Sequence, residues 1–241
     1  MKLELRFTTQ HEIIPIDYRP FIMSFFKGAL SKMYSNVFDD LYSKDKISPK
    51  SFTFSVYFYD PKIVGKTIGL PTKKFVVTIS SYDYSTIMYM YNSLLLKRKQ
   101  EYKIPLNNTI TLNSLNIKEN ELIDSSEIKI KFTSPLLVRK RENEKDTYLD
   151  YTSKDFNNQL NQVVMQFIET LQEKFDNTEI SLTPIKASRT IVKNMGLKFN
   201  ASYGEFLLKG DKKLLNYLLE SGIGSRRGEG FGMFKVLSNE K

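Results

Sequence analysis

Gly222-Ile223-Gly224-Ser225-Arg226-Arg227-Gly228-Glu229-Gly230-Phe231-Gly232 holds five of the chain's eleven glycines, with two arginines at its centre. Glycine accepts φ > 0 and has no side chain, so backbone N–H groups in such a run can line a concave surface around a polyanion. The flanking residues decide the fold. Before the run, Asp211 stands as the N-cap of a helix to Glu220, with Leu214, Leu215, Leu218 and Leu219 on one face. After it, Phe231 to Leu237 reads as a strand. A dinucleotide-binding fingerprint needs the opposite order, a strand before the glycines and a helix after them. A P-loop is excluded as well, because no Gly-Lys-Ser/Thr follows.

Working outward, the chain alternates strands and helices in one repeated order. Leu3, Leu5 and Phe7 alternate as in a half-buried strand, and Pro20 opens a helix whose Ile22, Phe25, Phe26, Ala29, Leu30 and Met33 keep the 3.6-residue period. A short helix is expected over Val37 to Tyr42, then a polar, basic loop from Lys44 to Lys50. Phe52, Phe54, Val56 and Phe58 alternate, as do Phe75, Val77 and Ile79, with a turn-rich stretch from Asp60 to Thr72 between them. Asp83 caps a helix, and Ile110 and Leu112 mark a fourth strand.

That order, β-α-β-β-α-β, is ferredoxin-like, and it repeats. The second copy runs from the Ile128 strand through a hairpin tip at Arg141 to Lys145 and an amphipathic helix from Phe156 to Leu171. Short extended pieces at Ile180 to Leu182 and Thr190 to Val192 follow, then a strand-rich Gly196 to Gly210, the Asp211 helix and the last strand. The reading is an α+β chain of two tandem ferredoxin-like (RRM-like) domains, residues 1–122 and 123–241, with the glycine-rich loop 222–232 in the second.

The 241 residues suit two domains, and the net charge of +9 favours a polyanionic partner. Between Ile185 and Lys241 eleven Lys/Arg stand against five Asp/Glu, so the excess concentrates near the glycine run. The absence of Cys excludes disulfides and thiolate metal sites, and a single His argues against a zinc site. The alternating N-terminus reads as a strand rather than a signal peptide, and no apolar run approaches ~20 residues, so a cytosolic chain is expected.

The pattern Gly222-Ile223-Gly224, Arg226-Arg227, Gly230-Phe231-Gly232 resembles the C-terminal glycine-rich loop of the CRISPR-associated repeat-processing endoribonucleases, the Cas6 family. Gly204-Glu205-Phe206-Leu207-Leu208-Lys209-Gly210, the helix opened by Pro20, and Ser134-Pro135-Leu136-Leu137-Val138-Arg139 are similar to theirs too. The resemblance spans nearly the whole chain, and the glycine loop carries most of it. It implies CRISPR repeat RNA as the partner, cleavage without a metal or other cofactor by attack of the 2′-hydroxyl, and a 2′,3′-cyclic phosphate product. Association with effector-complex subunits, or with a second copy as a homodimer, stays open. Two other readings also remain open: a member that binds repeat RNA without cutting it, and a structural subunit of a surveillance complex.

Such a reaction needs a group for the 2′ proton, one for the leaving 5′ oxygen, and cations at the phosphate. Aligned on Leu41-Tyr42 and Pro49-Lys50, the chain carries Tyr42 where the family's His is expected and Lys50 at its downstream Lys. Ser31, or Lys32 one register on, stands where the family's helix Tyr would be. The sole histidine, His11, precedes the first helix and reads as an exposed loop residue. Lys50, Tyr42 and Ser31 are therefore the catalytic candidates. For RNA binding the candidates are Ser225, Arg226 and Arg227 with the loop glycines Gly222, Gly224, Gly228, Gly230 and Gly232. Lys212 and Lys213 at the start of the last helix, and Arg139, Lys140 and Arg141 by the hairpin tip, complete the set.

Overall fold

The computed structural model describes residues 1–42, 49–171 and 173–237. The basic loop expected from Lys44 to Lys50 lies outside the described residues as far as position 48. The chain forms two compact units. Met1–Ile47, Ser55–Glu119 and Lys193–Leu197 make the first, and Ser48–Phe54, Asn120–Val192 and Lys198–Lys241 make the second. The single boundary read from the sequence has no counterpart for this exchange of two short segments.

The first unit holds β1 (Lys2–Thr9), β2 (Ile13–Pro15), α1 (Arg19–Met33), α2 (Ser35–Tyr42), β3 (Phe52–Phe58), β4 (Lys62–Val64), β5 (Thr67–Gly69), β6 (Lys74–Ser81), α3 (Tyr84–Leu95), β7 (Glu101–Ile104) and β8 (Asn108–Lys118). The opening residues of β3, through Phe54, group with the second unit. The main sheet has the order β3-β6-β1-β8-β7. Period-two alternation places Leu3, Leu5 and Phe7 opposite Ile79, Val77 and Phe75 on one buried face. Phe7 stacks on Phe75 with centroids 5.0 Å apart and meets Phe25 of α1 edge-on at 5.4 Å. Full burial of each such side chain contributes about 1.5–3 kcal/mol. Asp83 caps α3 by accepting from the N–H groups of Ser85 and Thr86. The stretch read as turn-rich contains β4 and β5, which join β2 in a three-stranded sheet ordered β2-β5-β4. Three-residue strands are too short to show an alternation.

The second unit continues with β9 (Glu127–Phe132), β10 (Val138–Glu142), β11 (Lys145–Leu149), α4 (Phe156–Ile168), β12 (Ser181–Asn194), β13 (Leu197–Lys209), α5 (Lys212–Ser221), a 3-10 turn at Arg227–Glu229 and β14 (Phe234–Val236). Its sheet runs β12-β13-β9-β14, and the β10–β11 hairpin is inserted between β9 and α4. Each unit therefore orders its strands second, third, first, fourth, which is the ferredoxin-like arrangement. Phe132 anchors the core, 5.5 Å from Phe206 and 6.2 Å from Phe234. The two extended pieces expected near 180 and 190 form one 14-residue strand, β12. Its middle is largely exposed, which erased the apolar signal. α5 begins at the expected cap: Asp211 accepts from the Leu214 N–H at 2.9 Å.

Candidate functional site

The glycine run is held in the second unit by hydrogen bonds to Thr133–Arg139. Ser225 N–H donates to the Leu137 carbonyl (2.7 Å), Gly232 N–H to Pro135 (2.9 Å) and Arg139 N–H to the Ser225 hydroxyl (3.1 Å). Within the run, Ile223 N–H reaches Gly232 (2.9 Å), and Gly230 N–H reaches Arg227 (2.9 Å). Gly222 N–H closes α5 on Leu218 (2.8 Å). The amides of Gly222, Ile223, Ser225, Glu229, Gly230 and Gly232 are thus bonded to carbonyls of the protein itself. These six donors of the run are therefore turned to the protein rather than to a polyanion. Two motifs quoted separately from the sequence, 134–139 and 222–232, form one substructure.

Gly232 and Gly228 are two of the positions in the run that geometry reserves for glycine. Gly232 has φ +72°, and a Cβ there would lie 1.8 Å from the Ile223 carbonyl oxygen. Gly228 is needed for close approach, because its Cβ would meet Lys50 Cγ at 2.8 Å and Lys50 Cβ at 3.1 Å.

The arginines expected at RNA are tied to the protein. Arg227 is 5% exposed, its guanidinium 3.9 Å from the Phe167 ring centroid, with one nitrogen 3.4 Å from the Gly222 carbonyl. Arg226, in the left-handed region at φ +56°, is half-buried. Its Nε donates to the Tyr148 hydroxyl at 2.7 Å, and its Nη1 donates to both Glu229 carboxylate oxygens at 3.0 Å. The guanidinium also lies 4.9 Å from the Phe199 ring centroid. Burial disfavours its charge, but the Tyr148 hydroxyl and the Glu229 carboxylate more than restore it, and its pKa is raised. Ser225 is engaged through its hydroxyl and amide, as described. The loop arginines thus brace the substructure.

Lys50 belongs to this same unit and lies with its aliphatic stem on Gly228. Beside it, the Thr53 hydroxyl donates to the Phe231 carbonyl at 2.8 Å. The start of β3 is thereby fixed to the far end of the glycine run.

Ser31 and Tyr42 belong to the first unit. Tyr42, at the end of α2, is half-buried, 5.3 Å from the Phe38 ring and with Lys27 Nζ 4.6 Å from its own centroid. Burial pushes the Tyr42 phenol up, so at neutral pH it keeps its proton and can donate a hydrogen bond but cannot serve as a base. Ser31 is exposed one turn beyond Lys27 on the same face of α1. Lys27 is the residue that sequence reasoning passed over; its i, i+4 spacing to Ser31 was the available signal. Lys32 and His11 are exposed, His11 in the turn after β1, where its N–H donates to the Asn108 side chain at 2.9 Å.

The outlying cations divide. Lys213 is paired with Glu173 at 2.5 Å, Lys140 with Glu142 and Asp155 at 3.0 and 3.2 Å, and Arg139 with Asp146 at 3.7 Å. Lys212 and Arg141 are exposed. Two residues missed in the sequence, Lys131 and Lys235, are direct cross-strand neighbours of β9 and β14, with Glu205 3.0 Å from Lys131. Among the described residues no group of three or more His, Cys, Asp or Glu side chains is placed to hold a metal ion, and no helix is long and apolar enough to cross a membrane.

Known structures share this architecture. A Cas6-related protein of Pyrococcus furiosus aligns with a TM-score of 0.87 at 20% identity, covering 100% of this chain and 99% of its own. A RAMP protein described as binding different RNA substrates aligns with a TM-score of 0.85 at 22% identity, over 99% of this chain and 100% of its own. A CRISPR-associated protein Cas6 aligns at 0.78 and 20% identity, with 99% of each chain covered. At these identities the likeness is one of fold. No curated protein matches the chain by sequence. The family model described as CRISPR associated protein Cas6, C-terminal, matches residues 117–236, from the end of β8 through the glycine run to β14. On that match over about half its length, together with the shared fold, the chain belongs to the Cas6 family.

Proposed function

We propose that this protein binds CRISPR repeat RNA and cuts it at one site without a metal ion. The 2′-oxygen attacks the adjacent phosphorus, a P–O2′ bond forms and the P–O5′ bond breaks. The 2′ proton passes to solvent and the leaving 5′ oxygen takes one up, giving a 2′,3′-cyclic phosphate and a 5′-hydroxyl. The observation that supports this reading is the stem of Lys50 lying on Gly228, which brings the lysine into the same unit as the glycine run. A positioned cation at the crowded phosphate contributes on the order of 2.7–4 kcal/mol, as single oxyanion donors do. RNA as the ligand is supported by the net charge of +9 and by the RAMP protein of the same fold described as binding different RNA substrates.

The test is incubation of the full chain with repeat RNA in EDTA. One cut with a cyclic phosphate end supports the reading, and cleavage of a repeat carrying 2′-deoxyribose at the scissile position refutes the chemistry. A second reading, binding without cleavage, is favoured by one observation: where the family pattern places a histidine, this chain has Tyr42, a phenol that burial keeps protonated. Stable RNA binding with no product under those conditions selects it.

A further inference from the structure

The open face of the first unit's main sheet combines an exposed aromatic ring with a surplus of positive charge. Phe58 packs inward on Phe75, 5.9 Å between centroids, so the residues on either side of each point to the opposite face. That places Tyr57 of β3 on the open face together with Lys74 and Val76 of β6, and Tyr59, just beyond the end of β3, lies against Tyr57. Arg6 pairs with Val76 and Thr8 with Lys74, so β1 extends the same face. Tyr57 is 62% exposed, while its neighbour Tyr59 is half-buried. The two rings meet edge-to-face at 5.0 Å and 85°. The half-buried partner braces Tyr57 and leaves the ring largely in solvent.

The charge on this face is lopsided. Lys2, Arg6, Lys74, Lys103 and Lys118 stand there by register, against Glu4 and Glu101. Glu4 accepts from both Arg6 and Lys118, at 2.8 and 2.5 Å. Lys74, on the same face of the neighbouring strand β6, is exposed. An exposed large aromatic ring among cations is the chemistry that holds unpaired nucleotides: a base stacks on the ring, and its phosphates meet the lysines. A protein partner would be met better by an apolar surround, and the face that carries Tyr57 holds five cations by register.

We propose that Tyr57 is a base-stacking platform for a single-stranded segment of RNA, with Lys74 contacting the adjoining phosphate. This rests on the RNA-binding reading above and extends it to a site that the reaction does not use. The ring reads a π-face and not a base edge, so the platform prefers an unpaired nucleotide without choosing among the four bases.

The experiment uses the full chain and an unstructured ten-nucleotide RNA carrying 2-aminopurine at one position, moved along the strand in successive oligonucleotides. The wild type quenches the fluorophore at one position. Tyr57→Leu abolishes that quenching and weakens binding about 10-fold with an unchanged salt slope, whereas Tyr57→Phe retains both. Lys74→Ala lowers the salt slope by about 0.7 and keeps the quenching. Thermal unfolding of each variant should match the wild type, since both side chains are exposed. Wild-type affinity and quenching in Tyr57→Leu overturn the platform and leave RNA binding standing. Failure of the wild type to bind any RNA removes both.

Discussion

Replacing Arg227 by alanine tests whether the arginine pair is a clamp on the protein or a grip on RNA. The guanidinium is 5% exposed, 3.9 Å from the Phe167 centroid and 3.4 Å from the Gly222 carbonyl. A desolvated cation–π contact is worth about 2 kcal/mol. A long hydrogen bond from a charged donor falls at the low end of its range, about 1.5 kcal/mol. Allowing for non-additivity, Arg227→Ala should destabilise by about 3 kcal/mol, a large part of a domain's total stability. For a unit of this size that lowers Tm by about 10 °C. Arg227→Lys keeps the charge but loses the planar face on Phe167, so its Tm should fall between the two. The assays are calorimetry and RNA binding across a salt series. A variant with unchanged Tm whose salt slope drops by about one would refute the reasoning, since the guanidinium would then be meeting a phosphate.

Gly232→Ala should prevent stable folding of the second unit, because φ +72° disfavours a side chain and its Cβ would sit 1.8 Å from the Ile223 oxygen; a soluble variant with wild-type Tm would show that the run can rearrange. Lys50→Ala should slow single-turnover cleavage by about 100-fold with RNA affinity little changed, and the reverse pattern would make Lys50 a binding residue only. Burial raises the Asp150 carboxyl's pKa, but hydrogen bonds from the Thr152 hydroxyl and N–H and the nearby Arg189 more than reverse it, so the net shift is downward from 3.8. Asp150 therefore stabilises the fold above its unfolded pKa, and that stability is lost as pH falls through the lower folded value. Asp150→Asn should flatten the fall of Tm below about pH 4; a slope equal to wild type would assign the acid sensitivity elsewhere.

Sequence patterns reached the fold through its longest signals. Leu3, Leu5 and Phe7, the Pro20 helix, and the Asp83 and Asp211 caps are local, and local chemistry decides them. The small sheet of β2, β4 and β5 was invisible because three residues carry no period. The direction of the two arginines was not legible, since it depends on partners remote in sequence. Phe167 lies sixty positions from Arg227 and Tyr148 seventy-eight from Arg226. Glu229, three residues after Arg226, was a local hint of pairing that the charge count obscured. The nearness of Lys50 to Gly228 is likewise a tertiary fact with no trace in composition. A family resemblance could nominate Lys50, but only the fold sets it on the glycine.

The exchange of short segments between the units has a consequence for how the chain is made. Thr53 and its partner carbonyl on Phe231 are 178 positions apart. A ribosome adding about 5–20 residues per second would synthesise one roughly 10–35 s after the other. During that interval Phe52 and Phe54, both fully buried in the finished protein, have emerged without the glycine run that Thr53 and Phe54 meet. The first unit waits as well, for Gly196 to reach the Asp17 carboxylate at 2.9 Å. Neither half can finish while the ribosome is still on the other. A stalled or prematurely terminated chain would therefore carry apolar strand residues in the open, a target for chaperones and proteases rather than half of a working protein.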